Sequence, residues 1–594
     1  MQPLLIPGAR KNRYTADSST VSLLSQSHSV AGDNPYPSNN NNLHGHGLGV
    51  HSFNNHTISD KYSLSADPAT WGSNLYPNVP EPDDALHSPD ARKGKYREHS
   101  SGSMLTRRGM ANLGCLALLL AALLTLFIGF PILKFIKNGG FSGPTALNVR
   151  VNGTGQIPKM SFGIIDPDTP QEAYTTTSYG DGSEWKLVFS DEFNTEGRSF
   201  YPGDDPYWEA VNLNYWETSD LEWYDPSAIT TTNGSLVITF SKYESHNLSY
   251  QGGMMSTWNK FCFTGGYFEA SVMLPGINNV AGMWPAVWTL GNLGRAGYGA
   301  TLDGLWPYTY DSCDVGTAPN QTINGKPEAA TVDGDSSADF ALSYLSGQRL
   351  SRCTCPGESH PGPIHSQDGS YVGRSAPEID MFEAQVTGET GQVSQSAQWY
   401  PFNDKYIWLN TSANLIIPDP SISALNSYIG GDTQQASSVV TSINQDCYEL
   451  SESPCYNTYG FEYVPGFDDA YITWIANGKQ SWTLNVAGMG ADNVTEIAAR
   501  PIPQEPMYLI INLGMSESFS TIDFDHLTFP NHLRVDYVRV YQDPNNINIG
   551  CDPEDFPTAD YINTYIDAYT NPNYTTWVDD FKQPWPKNKL LDSC

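Results

Sequence analysis

LRVDYVRVYQ (533–542) alternates: Val535, Tyr537, Arg539 and Tyr541 fall on one side, Arg534, Asp536, Val538 and Val540 on the other. A period of two is that of a β-strand, and β-branched and aromatic residues suit its pleated surface. Runs of the same character recur upstream: WKLVFSDEF (185–193), SLVITFS (235–241), GYFEASVML (266–274), MWPAVWTL (283–290), EIDMFEAQ (378–385), AYITWIA (470–476) and MYLIINL (507–513). Gly, Pro and Asn fill the connections, and helix-period amphipathic stretches are nearly absent. Many short strands joined by turns predict an all-β sandwich or jelly roll. Residues 181–545 form the expected domain. It is large for a sandwich, so the Gly-, Ser-, Asp- and Cys-rich stretch 291–376 is read as an insertion.

Composition agrees. Of 594 residues 12% are aromatic and only 16% charged, with 52 Gly and 41 Pro, which excludes a coiled coil or helical repeat. The chain carries 31 Lys+Arg against 64 Asp+Glu, a net charge of −33. Phosphate backbones are bound by neutralising them with Lys and Arg, so no nucleic-acid partner is expected.

Gly109 to Leu133 contains no charged residue. Its apolar run LGCLALLLAALLTLFIGFPIL (113–133) spans about 30 Å as a helix, the thickness of a bilayer's hydrocarbon core. Residues 109–133 are therefore predicted to cross a membrane. Arg92, Lys93, Lys95, Arg97, Arg107 and Arg108 precede the run and only Lys134 and Lys137 closely follow it. The excess of cations before it keeps the N-terminus cytosolic and sends the rest to the lumen or exterior, a type II single-pass layout in the secretory pathway.

The flanking segments fit that direction. Residues 1–108 are rich in Ser, Asn, Pro and Gly without apolar periodicity, and are read as a disordered cytosolic tail. Residues 134–180 are read as a lumenal stalk. N-x-Ser/Thr sequons at Asn152, Asn233, Asn247, Asn320, Asn410, Asn493 and Asn573 all lie beyond the apolar run, and only Asn55 precedes it. Eight cysteines also lie beyond it, and an even number in an oxidising compartment reads as disulfides. The expected pairs are Cys447–Cys455, closing a short loop, and Cys551–Cys594, closing a C-terminal extension (546–594) on itself. Cys353-Thr-Cys355, without nearby His, reads as disulfide sulfur rather than a metal site.

Chemistry concentrates in Glu378-Ile379-Asp380-Met381-Phe382-Glu383. In a regular strand 378, 380 and 382 share a face and Glu383 points the other way. One β-bulge at Met381/Phe382 restores Glu383 to the face of Glu378 and Asp380 and turns the apolar pair into the core. Two Glu side chains leaning together then approach the ~5–5.5 Å separation used in retaining glycoside chemistry. In that reading Glu378 is the nucleophile and Glu383 protonates the leaving oxygen, then deprotonates the acceptor. Asp380 hydrogen-bonds to Glu378 and tunes both. A solvated acidic edge or a Ca²⁺ site are the plainer readings of the hexapeptide. Aromatic rings stack on the apolar faces of pyranoses, which makes Trp284, Trp288 and Trp399 candidate substrate platforms. No cofactor or metal site is predicted.

WKLVFSDEFN (185–194), GGYFEASVMLPG (265–276), MWPAVWTLG (283–291), EIDMFE (378–383) and RVDYVRVYQ (534–542) together resemble glycoside hydrolase family 16. The resemblance implies a β-jelly-roll with a concave glucan-binding cleft and a retaining mechanism carried by Glu378, Asp380 and Glu383. The type II layout, GLWPYTYDSC (304–313), SRCTCPGESHP (351–361) and the Cys-flanked tail 551–594 further resemble the fungal KRE/SKN family of β-glucan-synthesis-associated proteins. That implies a role in assembling cell-wall β-1,6-glucan beside the glucan-synthesis machinery, as a hydrolase or transglycosylase. The alternative is a non-catalytic scaffold that holds glucan for a synthase. Some relatives carry a structural Ca²⁺, which this sequence leaves open.

Overall fold

The alternating runs become strands in a computed structural model that describes residues 163–299, 305, 310–318, 321–332, 348–400, 408–430 and 435–594. Before the insertion lie β1 (Thr175–Thr177), β2 (Glu184–Asp191), β3 (Glu209–Ala210), β4 (Glu222–Tyr224), β5 (Ile229–Thr232), β6 (Ser235–Phe240), β7 (Tyr250–Ser256), β8 (Gly266–Met273) and β9 (Trp284–Gly291). After it come β10 (Glu378–Thr387), β11 (Thr390–Trp399), β12 (Leu415–Ile416), β13 (Ser423–Leu425) and β14 (Gln435–Ser442). The last are β15 (Asn457–Val464), β16 (Tyr471–Ala476), β17 (Lys479–Asn485), β18 (Met507–Gly514) and β19 (Asn531–Gln542).

Two sheets result. One runs β1-β2-β19-β8-β15-β16-β17-β12, with β6 on β19 and β5 on β6; the other runs β13-β14-β11-β10-β9-β18-β7-β3, with β4 beside β7. Neighbours distant in sequence, such as β19 between β2 and β8, show that the chain wraps from sheet to sheet. Phe268, Val272, Phe461, Leu533 and Val535 of the first sheet meet Val287, Ile379, Phe382, Leu509 and Ile511 of the second in one buried core. Each such side chain contributes about 1.5–3 kcal/mol by leaving water.

Strand β19 departs from its expected alternation. Its register against β8 shifts between Val535 and Tyr537. The extra residue moves every later side chain to the other face, so Leu533, Val535, Val538 and Val540 all enter the core. Tyr537 instead hydrogen-bonds Glu269.

The predicted stalk also ends sooner than residue 180. Ile164 packs on the core, β1 pairs with β2, and Tyr179 and Gly180 donate backbone N–H groups to Glu462. The cytosolic tail 1–108, the apolar run 109–133, the stalk up to residue 162, Asn152 and Asn320 lie outside the described residues. Among the described residues no helix is long and apolar enough to cross a membrane.

The C-terminal extension is not closed on itself. Cys551 pairs with Cys262 and Cys594 with Cys355, while Cys313 pairs with Cys353 and Cys447 with Cys455. The predicted Cys551–Cys594 bridge fails because both ends of the extension lie along other segments. Gly550 N–H donates to Cys262 O, and Thr264 N–H to Asn548 O. Near the other end Cys355 N–H donates to Lys587 O and Lys589 N–H to Cys353 O. Between them two short helices, Ala559–Thr564 and Ile566–Thr570, place Tyr561, Ile562, Tyr565 and Tyr569 in a second core. That core includes Leu350 of the insertion and Ala286, Trp288 and Leu290 of β9.

Candidate active site

Against β11, Asp380 pairs with Ser396 and Glu383 with Ser394, so Met381 and Phe382 together face one residue. The register against β9 shifts at the same place. Ile379, Met381 and Phe382 are fully buried, and Glu378, Asp380 and Glu383 all line one cleft. One extra residue has put three acids on one surface.

Their surroundings differ. Asp380 accepts hydrogen bonds from Ser396 Oγ at 2.7 Å and Gln398 Nε2 at 3.0 Å and shares another with Glu378. Burial raises its pKa and these bonds pull it back. Glu383 accepts from Trp284 Nε1 at 3.1 Å. Burial first, then the charge of Asp380, push the Glu383 carboxyl up to about 8, against the opposing pull of the Trp284 bond. A carboxyl that keeps its proton at neutral pH is equipped to be a general acid.

Trp284 and Trp288 both line the cleft. The Trp284 ring stacks on Phe519 with centroids 4.2 Å apart and an interplanar angle of 1°, and Trp288 Nε1 donates to Asn512 Oδ1 at 2.8 Å. Trp399 is a correction. It is fully buried in the sandwich core, because Ser396 and Gln398 take the cleft face of β11 and period two turns residue 399 inward.

The rest of the lining was not read from sequence: Tyr215, Thr218, Asp220, Tyr224, Asn512 and Phe519. Asp220 Oδ1 accepts from Thr218 Oγ1 at 2.7 Å, and burial pushes its carboxyl up to about 6, with bonds from Thr218, Tyr224 and Glu222 opposing. Glu222, beneath it, is raised well above the usual range by burial and by Asp220. The alternation of β11 was signal enough to find Ser396 and Gln398. Nothing local marks Asp220, which a loop delivers from far up the chain. Among the described residues no cluster of His, Cys, Asp and Glu is arranged to hold a metal ion.

Two wrapped sheets and a bulged acidic strand lining a cleft define a β-sandwich with a carboxyl-lined cleft. The chain belongs to the SKN1/KRE6/Sbg1 family of β-glucan synthesis-associated proteins, whose profile matches residues 73–594. It is 39% identical over 562 residues to the β-glucan synthesis-associated protein KRE6 of Candida albicans, covering 91% of this chain and 72% of that one. The protein of the same name from Saccharomyces cerevisiae is 41% identical over 525 residues, covering 86% of this chain and 69% of that one. Among solved structures, the catalytic domain of an endo-1,3-β-glucanase (laminarinase) from Thermotoga petrophila is 20% identical. It covers 61% of this chain and 99% of that chain at a TM-score of 0.34. At that score the fold assignment stands on the sheets themselves.

Proposed function

We propose that this protein is a membrane-anchored β-glucan remodelling enzyme, a retaining glycosidase or transglycosylase that serves assembly of cell-wall β-1,6-glucan. The observation that carries the reading is the bulge in β10. It joins Glu378, Asp380 and Glu383 on one cleft surface, where burial and the charge of Asp380 push the Glu383 carboxyl up to about 8. Glu378 attacks the anomeric carbon while Glu383 gives its proton to the leaving oxygen. Glu383 then takes a proton from the acceptor hydroxyl as that oxygen displaces Glu378, so the configuration is retained. Asp380 holds Glu378 by their shared hydrogen bond. An acceptor sugar in place of water makes the second step transglycosylation.

The topology read from sequence completes the proposal. The apolar run 109–133 anchors the enzyme in a secretory membrane with the sandwich on the lumenal or outer side. The sequon residues Asn233, Asn247, Asn493 and Asn573 are exposed and Asn410 is half-buried, as glycan acceptors need to be reachable.

The test is the full-length chain in detergent with defined β-1,3- and β-1,6-glucan oligomers, products identified by mass. Expected are shortened and lengthened oligomers of retained configuration, and at least a hundredfold loss with Glu378→Gln. Oligomer binding with no product from the unaltered chain would replace the enzyme by a glucan-holding scaffold.

A further inference from the structure

Beneath the acids, the bulge of β10 faces a second bulge in the other sheet. The β16–β17 hairpin turns at Asn477-Gly478, both with positive φ (55° and 66°), the conformation that a two-residue hairpin turn demands. Ile475 then pairs with Gln480 but Trp474 with Trp482, leaving Ser481 as the extra residue. Across the core, Gln395 of β11 is the single residue opposite Met381 and Phe382.

A bulge disrupts the ladder and leaves backbone groups in need of partners, which are unfavourable to bury unpaired. Here side chains supply them. Trp474 Nε1 donates to Asp380 O at 2.9 Å. Gln395 Nε2 donates to Met381 O at 2.9 Å and to Ile475 O at 3.0 Å, one contact on each bulge. Ser481 Oγ bonds Gln395 Oε1 and lies 3.0 Å from Trp474 O. Trp474 and Gln395 are fully buried and Ser481 is 4% exposed.

We propose that Trp474 and Ser481 of the opposite sheet, with Gln395 of the adjacent strand β11, are positioning residues that fix the bend of β10 and with it the mutual placement of Glu378 and Glu383. The inference rests on the catalytic reading of those two carboxyls. Apolar packing alone would fill the same space but would not direct two carbonyls. Hydrogen bonds in a dry core are directional, and a fully satisfied network specifies one geometry. The neighbouring indole supplies the contrast. Trp482 stacks on Trp474 with centroids 4.0 Å apart and an interplanar angle of 1°, yet among the described residues its Nε1 has no hydrogen-bond partner. The pair therefore has equivalent packing and only one structural N–H.

Trp474→Phe in the full-length chain keeps a stacked ring and removes that N–H; Trp482→Phe makes the same change with no bond to lose. With glucan oligomers, Trp474→Phe lowers kcat tenfold or more with KM within twofold, while Trp482→Phe stays within twofold on both. Equal losses in the two variants overturn the proposal. Ser481→Ala is the milder variant should Trp474→Phe not fold, with a smaller fall in kcat expected. A second measurement needs no turnover: ¹³C carboxyl NMR follows the titration of Glu383. Its midpoint moves in Trp474→Phe and holds in Trp482→Phe. An unaltered chain that turns over no glucan but shows that difference refutes the catalytic reading and keeps the bridge. A midpoint unmoved in both variants refutes the bridge.

Discussion

At the residue scale the carboxyls of the cleft are unequal. Glu383 is pushed up to about 8 by burial and by Asp380. On the proposed mechanism its acid form serves at neutral pH, and kcat/KM is expected to fall as pH rises through that value. Trp284 Nε1 bonds this carboxyl at 3.1 Å and favours its charged form. Trp284→Phe removes the bond, so Glu383 holds its proton to higher pH and the alkaline limb of the pH–rate profile moves upward. A limb that stays in place or moves downward would show that another group sets it. The three acids were legible in sequence because apolar spacers between them required a kink. Trp399 was misread because the face of a ring depends on the parity of its strand. Asp220 left no trace, since its own partners are local and only the fold brings its loop to the cleft of the β10 acids, remote in sequence.

At the element scale, β10 and β19 are both bulged, and only the first was legible. In β10 a misplaced acid and an apolar pair conflict with simple alternation, and one extra residue resolves the conflict. In β19 the alternation was read as unbroken, because no misplaced charge signals the extra residue, and the shift shows only in the pairing with β8. The bulge of β10 is held from the core by Phe382, fully buried and with its ring centroid 4.5 Å from that of Tyr459. Phe382→Ala removes that ring and leaves a cavity, a loss of about 3–5 kcal/mol. Urea unfolding at fixed pH measures it. A loss below about 1 kcal/mol would mean the site collapses freely and the bulge is not pinned there.

At the scale of the whole molecule, the extension after β19 is sewn to the body. Cys262 and Cys551 are separated by 289 residues and Cys355 and Cys594 by 239. Bridges over such distances restrict the unfolded chain strongly, and losing one typically lowers stability by about 2–5 kcal/mol. Cys262→Ser with Cys551→Ser is expected to fall in that range, read from thermal unfolding. Peptide mapping without reduction supplies the direct check: a Cys551–Cys594 peptide would contradict the arrangement. The extension shares its core with Trp288, so the same variant also loosens one wall of the cleft.

The sequence by itself determined the strand-rich class, the family and the acid trio, because alternation, turn residues and the E-x-D-x-x-E spacing are local properties of the chain. The Cys447–Cys455 pair was local enough to read as well; only the tertiary structure decided the partners of the other six cysteines, the inward turn of Trp399, the entry of Asp220 into the cleft and the paired bulges beneath the site. Each of those depends on which distant segments come to lie side by side, and that is settled by burial of the whole core rather than by any short stretch of residues.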